Sequence, residues 1–425
     1  MNHRFEKSRP RKLQALGVLS GVTAGAWLGA AEAPTKLVTV GISPIVISLI
    51  MVVGVFLARW SVPALVVGTS SIRDDVRRAP HLIIWGVLAG CIWAVANTMT
   101  IVAIRDIGLS IAFPLWNSNS LLGIVWGFFF FNELRQAGWR RWTGVLGGAL
   151  VMSVGAALLA IASSTQAPAA HSMRGVWAAL GAGILWGTMY IPYRKAYLSG
   201  MNPLSFVTFF TFGELGMMAA LAVSYLGVGP LWQELARARG VVFWLMLGGF
   251  IWVIGDLFQQ YAAKYVGISR GIPLSNSNQL WGLLWGIFVF HELHGSATST
   301  YMQVVGGSLL MLLGVAGIAF SSASGEEQVQ WKEAAQRESK RYNIAADYVE
   351  ARMQGSAVEG EVRPSRTLFD WLLVAGVTSI FVICATMARA PAMAFNWGPA
   401  LLLVAAMLVL LLVCGLTLWR TTRFH

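Results

Sequence analysis

Residues 108–134 read GLSIAFPLWNSNSLLGIVWGFFFFNEL and residues 267–293 read GISRGIPLSNSNQLWGLLWGIFVFHEL, the same string displaced by 159 positions with 15 of 27 residues identical. The chain contains itself twice. Each copy is apolar enough to cross a bilayer, yet each carries an Asn-Ser-Asn cluster in its first half. Asn117, Ser118 and Asn119 are answered by Asn276, Ser277 and Asn278. Amides at membrane depth are costly unless they line a cavity or find partners, so the repeat reads as a doubled binding element.

With 56% apolar and only 12% charged residues over 425 positions, the chain lies outside the range of soluble globular proteins and reads as an all-α polytopic membrane protein. Its net charge of +12 sits in short basic runs between apolar spans, the pattern of cytoplasmic loops, which argues against nucleic-acid binding. Cys91, Cys384 and Cys414 all fall inside apolar spans and form neither a disulfide framework nor a metal set. No His/Cys/Glu set has metal-ligand spacing and no Ser/His/Asp arrangement stands out, so no cofactor and no enzymatic activity are expected. No nucleotide-binding motif supports ATP drive.

At about 20 apolar residues per span, helices are expected over 14–34, 43–59, 82–104, 109–131 and 143–162. A polar linker follows, and then 174–193, 203–227, 241–263, 271–290 and 302–320. The basic N-terminus, its apolar run and Ala31-Glu32-Ala33 imitate a cleaved signal peptide. The correspondence of Trp27-Leu28-Gly29 to Leu185-Trp186-Gly187 predicts instead a retained first span.

Five spans per copy is an odd number, so the second copy enters the membrane with the opposite orientation and the repeat is expected to be inverted. Charge agrees. Arg135, Arg140 and Arg141 follow the fourth span, while the twin loop HELHGSATSTY has no Lys or Arg. Arg59, Arg73, Arg77 and Arg78 precede the third span, and Arg194 and Lys195 follow the sixth against a lone Lys36 in the twin loop. These basic residues read first as inner-face topology signals, with both termini cytoplasmic and the protein in the cell (inner) membrane. Arg237 and Arg239 fit least well. The expected organisation is a first five-helix repeat over 1–165, a second over 172–323, a cytoplasmic mixed-charge linker over 324–366, and an accessory hairpin over 367–425 with spans near 369–388 and 398–418.

The two five-helix halves, together with LWGTMYIPYRKAY at 185–197 and FIWVIGDLFQQYAAKYVGISRGIPLSNSNQLWG at 250–282, resemble the drug/metabolite transporter superfamily of ten-helix carriers. Within it they look most like the glucose/ribose porter and rhamnose-proton symporter branches. The resemblance covers about residues 14–320 and implies a secondary carrier of a small solute, a monosaccharide with a proton in those branches. Other branches export amino acids, metabolites or drugs, and the hairpin departs from the ten-helix pattern. A membrane sensor or scaffold built on the linker is the reading from another class.

The Asn-Ser-Asn pair offers the donors and acceptors that a neutral polyol needs, and Gln279 extends the second copy. The same residues would also serve to bridge helices or cap a broken turn after Pro114 and Pro273. Asp256 in the eighth span corresponds to Asn97 in the third and is followed by Gln259 and Gln260. A lone carboxylate in a span is a candidate proton site, and Glu214 in the seventh is the other strong one. Glu32, near the outer end of the first span and close to Lys36, reads as a snorkelling ion pair or a third acid. Glu133 and Glu292 end the twin helices and read as helix-end anchors. Trp116 and Trp281, each replaced in the other copy, would give a symmetric cavity a flat wall for a sugar ring, or pack in the core or against lipid. The glycine-rich spans GVLGGALVMSVG and VVGGSLLMLLGVAG permit close helix contact or a homodimer within the lipid bilayer.

Overall fold

In the computed structural model every element is a helix among the described residues, which are 2–31, 33–36, 41–107, 115–116, 119–135, 138–163, 173–291, 297–321, 325–356, 366–389 and 396–424. Away from water a segment must satisfy its own backbone, and a helix does so without a partner. The first half comprises α1 (Asn2–Ala30), α2 (Ala33–Lys36), α3 (Pro44–Val66), α4 (Ser70–Arg78), α5 (Leu82–Ile107), α6 (Asn119–Phe131) and α7 (Gly138–Ser163). The second comprises α8 (Met173–Leu198), α9 (Pro203–Leu226), α10 (Val228–Arg237), α11 (Val242–Val266), α12 (Ile268–Ser275), α13 (Asn278–Leu284) and α14 (Thr298–Phe320). Then come α15 (Gly325–Tyr342), α16 (Ala346–Met353), α17 (Leu368–Thr386) and α18 (Trp397–Thr422).

Among the described residues, nine helices are long and apolar enough to cross a membrane: all or part of α1, α3, α5, α7, α9, α11, α14, α17 and α18. This is the helix content of a polytopic membrane protein. Local chemistry sets several starts. Pro44 and Pro203 occupy first-turn positions where no N–H is needed, and Asn202 Oδ1 caps α9 by accepting from Leu204 N at 2.9 Å. Ser43 N donates to Glu234 Oε2 at 2.9 Å, and hydrogen bonding to Ser43 holds that carboxyl below its usual range. Thr367 and Asp370 form a reciprocal capping box on α17. The expected ninth span is not one rod. It breaks at Asn276 and Ser277 between α12 and α13, then continues into a π-helical turn over Trp285–Val289.

Glycines fix the helix crossings, and the crossings come in matched sets. On α3 and α11, a Cβ at Gly54 would lie 2.3 Å from Met246 O and one at Gly249 2.1 Å from Met51 O. On α9 and α5, a Cβ at Gly213 would lie 1.9 Å from Val87 O and one at Gly90 2.0 Å from Phe210 O. Adding 159 to 54, 87, 51 and 90 gives 213, 246, 210 and 249, so the second crossing is the first with the copies exchanged. The seam between α7 and α14 exchanges with itself: Gly148 meets Gly314 O at 2.8 Å and Gly155 meets Gly307 O at 2.7 Å, measured from a built Cβ. Both glycine-rich spans are therefore used against each other inside one chain. Where lipid is as apolar as the side chains, close backbone approach of this kind is what holds helices together.

The hairpin is part of this assembly. α17 packs on α3 and α18 on α1, and Thr69 N donates to Asp370 Oδ1 at 2.8 Å.

Gly148→Val, whose Cβ must displace the backbone of α14, is expected to destabilise the fold by about 1–3 kcal/mol, read as a lowered thermal unfolding midpoint in detergent. Gly147→Val on the same helix, where a Cβ meets nothing within 4 Å, serves as the control and should leave the midpoint nearly unchanged.

Candidate functional site

The interior of the helix assembly holds a three-charge cluster. Arg59 on α3 is fully buried and donates through Nη1 to Glu214 Oε2 on α9 at 3.0 Å and through Nη2 to Asp256 Oδ2 on α11 at 2.7 Å. Its guanidinium carbon stands 4.2 Å from the Phe210 ring centre and 5.1 Å from that of Trp252. Sequence explains how α3 presents it. Pro63, four residues on, has no N–H and leaves the carbonyl of Arg59 without its helical bond. Thr208 Oγ1 takes the place of that donor at 3.1 Å, a hydroxyl also within reach of Leu204 O.

The cluster extends along α11. Asp256 Oδ1 accepts from Gln260 Nε2 at 2.9 Å, one helical turn away, and Gln260 Oε1 accepts from the Tyr197 hydroxyl of α8. Next to it, Gln259 Nε2 donates to Ser275 Oγ at 2.6 Å, which reaches the break in the ninth span. There the copies meet: Asn276 Nδ2 donates to Asn119 Oδ1 at 3.0 Å and lies 2.6 Å from Ser120 Oγ. Ser277 Oγ and Gln279 Oε1 are buried with no hydrogen-bond partner among the described residues, as is Glu214 Oε1. Polar side chains thus follow one another from α3 and α9 along α11 to α12 and α6, by hydrogen bonds and, at Gln260–Gln259 and Ser275–Asn276, by adjacency along the chain.

The expected residues distribute unevenly around this path. Asp256, Glu214 and Gln260 lie in it, Asn119 and Asn276 join it directly, and Asn97 and Asn278 are half-buried on α5 and α13. Asn117, Ser118, Glu32 and Glu292 lie outside the described residues. Trp116 is packed among Ala103, Ala178, Ala179 and Ala182, edge-on to Trp186 at 6.2 Å, and Trp281 packs near Trp27, Ala30 and Met407. Both sit in apolar clusters. The rings flanking the charges are instead Phe210 and Trp252, with Trp93 edge-on to Trp252 at 5.4 Å.

Two sequence readings are corrected. Arg59 is not a loop residue marking the inner face; α3 runs past it to Val66 and buries it. Arg194, read first as an inner-face topology signal, is a buried pairing residue. It is 1% exposed, pairs through Nε with Glu133 Oε1 at 3.1 Å, and donates through Nη1 to Ala263 O and Lys264 O at the end of α11. Glu133 anchors a helix end, as its position suggested, but the end belongs to α12: it accepts from Ile268 N at 3.2 Å, Ser269 N at 2.9 Å and Ser269 Oγ at 2.7 Å. No group of His, Cys, Asp and Glu able to hold a metal occurs among the described residues.

A family described as "Sugar transport protein" matches residues 178–344. A Streptococcus pyogenes serotype M1 protein named for sugar uptake is 35% identical over 161 residues, 37% of this chain and 50% of its own length. A Bacillus cereus protein named for glucose uptake, GlcU, is 29% identical over 164 residues, 38% of this chain and 52% of its own. The matched stretch spans about half the length of these curated relatives.

Arg59→Met leaves two carboxylates buried without their cation, which is expected to cost about 3–5 kcal/mol of stability. The triple variant Arg59→Met/Glu214→Gln/Asp256→Asn, which removes all three charges together, should recover most of that loss in thermal unfolding in detergent. A single variant as stable as the parent would mean that the carboxylates are not ionised against Arg59.

Proposed function

We propose that the chain is a secondary transporter of the cell membrane that carries a monosaccharide of the glucose, ribose or rhamnose type together with a proton, by alternating access between two inverted five-helix repeats. The observation that carries this reading is the Arg59–Glu214–Asp256 cluster at the core of the helix assembly. Ionisable groups inside a membrane protein are expensive and mark ion pathways. One guanidinium between two carboxylates leaves a single net negative charge, which one proton neutralises. Asp256 and Glu214 are the two candidate sites for that proton, and Glu214 Oε1 has no partner among the described residues.

The solute side of the reading rests on the junction of the two copies. Amides and hydroxyls of Asn119, Ser120 and Asn276 meet where the ninth span breaks, and Ser277 and Gln279 beside them carry polar atoms with no partner among the described residues. These neutral groups suit the hydroxyls of a polyol, and the relatives named for sugar and glucose uptake fit the same class. Gln259, bonded to Ser275, and Gln260, bonded to Asp256, are neighbours on α11, so a change of charge at Asp256 is felt one residue from the solute junction. Both repeats are expected to run with their basic loops, and both chain termini, on the cytoplasmic side.

In proteoliposomes the parent protein is expected to accumulate labelled glucose, ribose or rhamnose when the outside is made acidic. Asp256→Asn should lose at least tenfold of the gradient-driven accumulation while keeping exchange of labelled for unlabelled sugar. Unchanged accumulation in that variant moves the proton to Glu214, tested by Glu214→Gln. No movement of any of the three sugars under any imposed pH gradient sinks the reading.

A further inference from the structure

The mixed-charge segment after α14 reads as a solvated linker, but the structure folds it against the carrier. Trp331, Ala334, Ala335, Ile344, Tyr348 and Val349 are buried and join the apolar cluster that contains Tyr193, Tyr197 and Leu198 at the end of α8. Residues 331, 334 and 335 fall on one helical stripe of α15. The opposite face is polar, where Lys332 Nζ and Glu350 Oε1, 2.7 Å apart, tie α15 to α16.

The segment holds ends of both halves at once. In the first half, the His81 ring stacks on Tyr342 at 3.7 Å, Arg78 lies over the Tyr348 ring, and Asp75 Oδ1 accepts from the Tyr348 hydroxyl at 3.2 Å. In the second, Lys195 Nζ stands 4.0 Å from Glu338 Oε1, the Arg194 guanidinium lies 4.7 Å over Trp331, and Gly200 O is 3.4 Å from the Tyr348 hydroxyl. Gly200 makes room for that ring: a Cβ there would lie 2.9 Å from Tyr348 Cε1. Asp75 is buried deeply enough that its carboxyl is lifted above the usual range, against the pull of Ser205, Arg352, Asn202 and Tyr348. Arg194 in turn grips Glu133, which holds the start of α12 just before the solute junction.

The segment thus lies across ends of both halves, seated by one narrow apolar stripe and by single polar and aromatic contacts rather than by glycine seams. We propose that α15 and α16 form a releasable strap: closed as seen here, it bars the solute path on the face made by α4, the turn between α8 and α9 and the end of α11, and it lifts for solute to cross that face. The proposal rests on the transport reading above.

The test bridges the strap to the core and reads two signals. Lys195→Cys/Glu338→Cys, both residues 16% exposed in the parent, is linked with a short bis-methanethiosulfonate reagent in proteoliposomes and released with dithiothreitol. The parent, whose cysteines lie in the spans, is treated identically. Labelled glucose uptake is expected to fall at least tenfold on linking and to return on release; equal uptake in the linked and released protein overturns the strap. If the unlinked protein moves no sugar, the transport reading has failed, and hydrogen exchange decides the strap alone. Amides of 331–349 are then expected to exchange as one unit at least tenfold faster than those of α8, more slowly when linked, and several-fold faster in Tyr348→Phe. Exchange of the strap no faster than α8, or indifferent to the link, overturns the proposal.

Discussion

A guanidinium with no exposure, clamped between carboxylates from two other helices, is the constraint on which the rest of the assembly depends. Removing such charges from water costs several kcal/mol per ion unless geometry and added hydrogen bonds compensate. Several groups around Arg59 serve that compensation: Thr208 for its freed carbonyl, Phe210 and Trp252 for the faces of its cation, and Gln260 for the far oxygen of Asp256. Distances near 3 Å require α3, α9 and α11 to approach within a side-chain length, which the glycine crossings at Gly54 and Gly249 allow.

Scaffold and chemistry obey different symmetries. Crossings at Gly54, Gly90, Gly213 and Gly249 repeat at a fixed displacement of 159 residues, contact for contact. The charges do not. The counterparts of Arg59, Glu214 and Asp256 at that displacement are Met218, Val55 and Asn97, all uncharged. A duplicated frame therefore carries the Arg59–Glu214–Asp256 cluster once, with no charged counterpart at the exchanged positions.

The repeat, the helical class and the isolated acids were legible because each is a local property: a string that recurs, an apolar run, a carboxylate in the midst of it. Arg59 was misread because an estimate of 43–59 for its span ended on it, and an arginine at a span end looks like a topology signal. The apolar run from Val62 to Val66 was the available hint that the helix continues. Arg194 was misread for a different reason. Its partner Glu133 lies 61 positions away in the other half, and nothing in the local pattern announces a pairing made by tertiary packing. The packing of α15 was hidden likewise, since Trp331, Ala334 and Ala335 make too narrow a stripe to stand out among charges.

Pro63 has a mechanical consequence. By removing the bond to the carbonyl of Arg59 it leaves the last turns of α3, up to Val66, held by one helical bond fewer, and the missing bond starts at the residue that carries the cation. The stretch of α3 that bends most easily is therefore the one whose guanidinium spans Glu214 and Asp256.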